Sequence, residues 1–150
     1  MILFDQRMDN RLDPLDRPAV GRLGRSVLLV APQQVAERHK VVLQVSDNDP
    51  GKWNLALNNA ENIQQALGKD KVDVEIVAYG PGLNMLKAES KVAARLSGAL
   101  DNNVGLLACG TTMRKAKLTE ADLAGGVKVV PGGVVHIMKR EREGWAYIRP

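Results

Sequence analysis

Apolar and polar positions settle into a regular rhythm only from Lys40 onward. Lys40-Val41-Val42-Leu43-Gln44-Val45-Ser46 is a nearly unbroken apolar run, the pattern of a strand buried on both faces. Asp49 follows as a helix N-cap and Pro50 as a first helical residue. Trp53, Ala56, Leu57, Ala60, Ile63 and Leu67 then recur at helical spacing, with Asn54, Asn58, Glu61 and Gln65 opposite them, and Gly68 closes the helix. Val72–Ala78 reads as a second strand; its initial alternation predicts a place near a sheet edge. Tyr79-Gly80-Pro81-Gly82 is a turn, and Leu83–Lys87 a short helical stretch. Ser90 is expected to cap a helix carrying Val92, Ala93, Leu96, Ala99 and Leu100. Val104–Cys109 is a third strand with no charge inside it.

Gly110-Thr111-Thr112-Met113 begins a loop or short helix, and Thr119–Leu123 a helical turn. Val127–Val130 is the fourth strand. Pro131-Gly132-Gly133 leads into a helix over Val134–Glu143 that Gly144 stops, and Trp145–Ile148 is a fifth strand or a docked tail. Strands alternating with helices at these spacings predict an α/β domain with a mainly parallel sheet.

Residues 1–39 differ in kind. They hold six Arg and no Lys, whereas all ten Lys lie from Lys40 onward. Asp13-Pro14, Arg17-Pro18, Gly21, Gly24 and Pro32 interrupt them, and their apolar residues keep no sustained period. They read as an N-terminal extension, either partly ordered with a short element near Ser26–Val30 and docked on a neighbouring subunit, or a disordered tail. The α/β domain is expected over 40–150.

Composition narrows the function classes. The 150 residues suit one ordinary domain, and 45% hydrophobic with 25% charged is the balance of a globular protein. The net charge of +4 is mild, and the densest basic cluster is Arg114-Lys115-Ala116-Lys117, so a nucleic-acid interface is not expected. No apolar run approaches the roughly 18–20 residues of a membrane span, and Val27–Ala31 is too short for a signal-peptide core. The expectation is a cytoplasmic protein that binds neither nucleic acid nor membrane. One cysteine, Cys109, excludes an internal disulfide, a multi-cysteine zinc site and an internal dithiol pair. With two scattered histidines there is no metal-ligand spacing.

In open parallel sheets, ligands gather at the carboxyl ends of the strands. Ser46–Lys52, Tyr79–Leu83 and Cys109–Met113 meet there. Cys109 ends a central apolar strand, and a helical turn starting at Gly110 would aim its free amides near the sulfur, with Arg114 or Lys115 beside it, favouring the thiolate. The competing reading is a core cysteine that only fills space. Asp47 and Asp49 form a carboxylate pair, or Asp49 is simply the cap. Trp53 is a core residue or a pocket wall. His39 reads as a surface residue at the opposite end of the first strand. His136 lies off the Val134–Ile137–Met138 stripe and reads as a solvated helix residue rather than a base for Cys109.

Asp49-Pro50 followed by Trp53-Asn54-Leu55-Ala56-Leu57-Asn58-Asn59-Ala60, then Ala78–Gly82, then Ala108-Cys109-Gly110-Thr111-Thr112-Met113, then Gly144–Pro150 resemble the DsrE/DsrF-like family of intracellular sulfur oxidation. The resemblance spans Lys40 to Pro150 and is strongest to a small branch distinct from the sulfur-oxidation subunits. It implies a three-layer α/β fold whose central, mostly parallel five-stranded sheet is flanked by helices. It further implies homo-oligomers, commonly trimers or hexamers, no cofactor, and sulfane sulfur carried as a persulfide on a cysteine, a position Cys109 matches. Donor and acceptor proteins would then be its partners. Asp47, Asp49, Trp53, Gly80, Pro81, Gly82, Gly110, Thr111 and Arg114 are the candidate pocket residues around Cys109. The alternative function is a non-catalytic oligomeric module that binds a small molecule or partner at the same rim, with Cys109 structural.

Overall fold

In the computed structural model, residues 38–150 are described, so the expected element near Ser26–Val30 lies outside the described residues. Strand β1, His39–Val45, buries every side chain from Val41 to Val45. Its neighbours explain why: β2, Val72–Ala78, lies on one side and β5, Ala146–Ile148, on the other. β3, Gly105–Cys109, and β4, Lys128–Val130, complete a five-stranded sheet in the order β4-β3-β2-β1-β5, parallel at every pairing. The α/β class and the parallel sheet therefore stand as expected. β1 begins at His39, one residue before the expected start, and His39 is exposed.

The edge position expected for β2 is wrong: β2 is the middle strand. Its early alternation has another cause. Asp73 pairs with Arg38 at the exposed start of the sheet, and Glu75 is engaged by a helix on the sheet's second face.

Helix α1, Pro50–Leu67, starts as predicted. Asp49 Oδ1 accepts from the Gly51 amide at 2.8 Å, with Pro50 in the first turn. We expect Asp49→Ala to cost about 1 kcal/mol in a urea titration, the usual value of a lost N-cap. The buried stripe is Trp53, Ala56, Leu57, Ala60 and Gln64. Gln64 takes the core position expected of Leu67, which is exposed. Its amide Nε2 donates to the Asn102 carbonyl at 2.8 Å, satisfying a polar group that would otherwise be buried alone.

The next helix is shorter than expected. Ser90 Oγ accepts from the Val92 amide in a local turn, and helix α2 spans Ala93–Asp101. The turn after β2 tightens early into a 3-10 segment, Gly80–Leu86, rather than waiting until Leu83. Helix α3, Gly110–Lys115, follows β3 directly, and a 3-10 turn at Glu120–Asp122 carries a capping box between Thr119 and Asp122. Helix α4, Gly133–Arg142, links β4 to β5 across the sheet.

The two sheet faces are unequal. The larger core sets Leu43, Ile76 and Leu106 against α1, α2 and the Gly80–Leu86 segment, with Leu57, Leu96, Met85 and Leu86 among its members. On the other face, among the described residues, Val42, Val77 and Leu107 cluster with Ile137 of α4, and Tyr79, Val130 and Trp145 pack around them. That second face is where the sulfur points.

Candidate functional site

Cys109 is the last residue of β3 and the N-cap of α3. It alternates with Ala108 of the larger core, and so projects toward the second face beside Leu107. There its Sγ accepts a hydrogen bond from the Gly133 amide at 3.2 Å, the first amide of α4. The first amides of a helix have no partner within it and carry its positive end. A sulfur placed on them is therefore favoured as an anion.

Burial pushes the Cys109 thiol up. Against this, the Thr112 hydroxyl and the backbone amides of Thr112, Gly133 and Thr111 pull it down, and the net result lies below the ordinary thiol value. Thr112 is itself oriented: its Oγ1 accepts from the Gly80 amide at 2.9 Å, which leaves the hydroxyl proton free to donate elsewhere. Tyr79 packs beside Gly133 so closely that a Cβ on Gly133 would come within 3.1 Å of the Tyr79 Cβ and 3.2 Å of the Cys109 Cβ. The buried Gln44 donates to the Tyr79 hydroxyl at 2.8 Å and fixes the ring.

The other candidate residues divide between two places. Gly80, Pro81 and Gly82 form the start of the 3-10 segment, and Gly80 reaches the sulfur site through Thr112. Gly110 is buried against the carbonyls of Val130 and Pro131. Thr111 donates to the Pro131 carbonyl at 3.1 Å and ties α3 to the segment that leads into α4. Arg114 is exposed, and its Nη2 donates to Thr111 Oγ1 at 3.3 Å.

Asp47, Asp49 and Trp53 belong elsewhere. Asp47 pairs with Lys52, which holds its carboxyl below the usual range. Trp53 is a core residue whose indole N–H donates to the Asp47 carbonyl at 2.8 Å. It also borders a cleft of about 390 Å³ with Asn48, Asn84, Lys87 and Ser90. That cleft adjoins the larger core; Cys109 is not part of its lining.

Sequence reasoning missed Thr112, Gly133, Tyr79 and Gln44. Thr112 lies in the Cys109–Met113 loop of the expected rim, whereas Pro131-Gly132-Gly133 reads from sequence only as a lead into a helix. That the two meet depends on which strands are neighbours. His136 also departs from its expected solvation: its ring lies 2.8 Å from Glu75 Oε1 and is mostly buried. Among the described residues there is no cluster of three or more potential metal ligands, and no helix is long and apolar enough to cross a membrane.

The fold and this site define a class: a parallel α/β domain whose single strand-end thiol sits on the first amide of the helix crossing its second face. The DsrE/DsrF-like family matches residues 39–150, and the chain belongs to that family. It is similar to a solved protein of unknown function from Methanobacterium thermoautotrophicum, with 37% identity and a TM-score of 0.72 over 75% of this chain and 99% of that one. It also shares its fold with the ychN protein from E. coli, at 15% identity and a TM-score of 0.63, again over 75% of this chain and 99% of the other. No curated protein matches the chain significantly.

Proposed function

We propose that this protein is a sulfur relay that carries sulfane sulfur as a persulfide on Cys109. The observation that carries the reading is the Cys109 sulfur on the Gly133 amide, within a shell that lowers the thiol's pKa. Family membership supports it. The Cys109 thiolate attacks the terminal sulfur of a donor persulfide. A new S–S bond forms on Cys109, the donor's S–S bond breaks, and the donor leaves as its thiolate. An acceptor thiolate then takes the same terminal sulfur and returns Cys109 to its starting state. Each transfer is redox-neutral, so one cysteine per chain is enough. The partners are donor and acceptor thiol proteins and further copies of the chain, as a trimer or hexamer. The compartment is the reducing cytoplasm, where a free thiol persists.

Mass spectrometry after incubation with a small persulfide donor tests the reading. We expect an adduct of about 32 Da, one sulfur atom, on Cys109 and none on Cys109→Ser. An unmodified wild type, or a serine variant that still loads, would sink it.

One observation favours a second reading. Cys109 is only 5% exposed, which suits a structural thiol in a non-catalytic oligomeric binding module. Under that reading iodoacetamide at neutral pH leaves the native thiol untouched and labels it only after unfolding. Rapid labelling of the native chain speaks for the relay.

A further inference from the structure

The second sheet face holds a charged cluster that the relay chemistry leaves unused. Glu75, in the middle of β2, lies beneath α4 and is only 15% exposed at its side chain. Its Oε1 meets the His136 ring at 2.8 Å and the Arg140 Nε at 2.9 Å, and its Oε2 takes the Arg140 Nη2 at 2.7 Å. The guanidinium also stacks 4.4 Å from the centre of the Trp145 ring. One carboxylate thus grips α4 at two successive turns. The groove beside it, about 500 Å³, is lined by Gly105, Leu107, Lys128 and Val130 as well as the cluster itself.

The grip matters because, among the described residues, this helix buries little apolar surface on the sheet. Of its large apolar side chains only Ile137 is buried, whereas Val134, Val135 and Met138 are each more than half exposed. The same helix supplies the Gly133 amide to the Cys109 sulfur, one turn ahead of His136. We propose that Glu75 is a positioning residue for the sulfur site: by clamping His136 and Arg140 it holds α4 in register on the sheet, so that the Gly133 amide stays on the Cys109 sulfur. The proposal rests on the relay reading for its purpose, while the positioning itself rests on the contacts of Glu75 and the amide on the Cys109 sulfur.

The sign of the effect separates positioning from simple electrostatics. Glu75 is faced by His136 and Arg140 from α4, while Val42 of β1 and Gly105 of β3, its register partners, carry no charge. Lys128 of β4 lines the same groove. Removing a negative charge and freeing two basic groups lowers a nearby thiol's pKa by Coulomb attraction alone. Losing the Gly133 amide raises it. In Glu75→Ala we therefore expect the Cys109 titration, followed by the ultraviolet absorbance of the thiolate, to move up by about one unit. Arg140→Lys keeps the charge but loses the two-point grip, and should move the titration the same way. Glu75→Gln keeps an acceptor for Arg140 and should move it less.

Circular dichroism establishes which variants are folded. A folded Glu75→Ala or Arg140→Lys whose midpoint is unchanged or lowered overturns the proposal, and if Glu75→Ala fails to fold, Arg140→Lys decides. Sulfur loading of the wild type is read separately. A wild type that takes no sulfur while the midpoints rise refutes the relay and leaves the positioning role standing. Normal loading with unmoved midpoints refutes the positioning role alone.

Discussion

Replacing Gly82 by alanine should cost about 3 kcal/mol, near the top of the range for over-packing a filled interior, and lower the melting temperature by roughly 6–12 °C in a thermal scan. A Cβ at this position would fall inside the contact distance of the Val45 carbonyl and 2.9 Å from the Ser46 Cα. Both are backbone, so no rotamer change relieves the overlap. The Val45 carbonyl is also engaged, accepting from the Tyr79 amide at 3.1 Å. Relief must therefore pull the end of β1 away from the turn that follows β2, and that turn carries Gly80, the partner of Thr112. The control is Gly98 in α2, where an added Cβ meets nothing within 4 Å. Gly98→Ala should stabilise the protein by about 0.5–1 kcal/mol, because alanine loses less backbone freedom in a helix than glycine. Equal effects at the two sites would refute the steric account.

The second large effect is expected at Thr112. Thr112→Val removes the hydroxyl that draws the thiol down, and also leaves the Gly80 amide without its acceptor. The thiol midpoint should rise by about one unit, and a tenfold smaller thiolate fraction should slow iodoacetamide labelling roughly tenfold below that midpoint. Thr112→Ser, which restores the hydroxyl, should recover most of the rate. Stability follows with a definite sign. The folded-state pKa of Cys109 lies below that of the unfolded chain. The ionised sulfur thus adds stability that is fully present above the unfolded value, near 8.5, and fades as pH falls through the folded value. In Thr112→Val that dependence should flatten. A valine variant with an unshifted midpoint and an unchanged pH–stability curve would remove Thr112 from the site.

How far such a site can be read before folding depends on how local its causes are. β1, α1 and the cap at Asp49 were legible because apolar period, N-cap and closing Gly68 are all written within a few residues of where they act. The strand-end placement of Cys109 was legible for the same reason. Strand order was not: the alternation at Asp73 and Glu75 looks like an edge strand, and only the pairing of β2 with both β1 and β3 shows it is central. His136 was misplaced likewise. Helical period set it off the apolar stripe, and no local pattern announces a carboxylate 61 residues away. The pocket residues around Asp47 and Trp53 share the rim with Cys109, but the pleat turns Cys109 to the other side of the sheet.

The late place of α4 in the chain has a temporal consequence. During synthesis β1, β2 and β3 leave the ribosome ahead of the segment beyond Gly132 and can begin to pair before α4 is free to join them. In that interval Cys109 has its own α3 amides but not the one from Gly133. Parallel sheets already form slowly because their contacts are distant in sequence. Here the last crossing both closes the sheet, by laying β5 beside β1, and completes the setting of the thiol. A fully tuned sulfur is thus a mark of a completed sheet: the growing chain carries the cysteine well before it carries the Gly133 amide that sets its thiol.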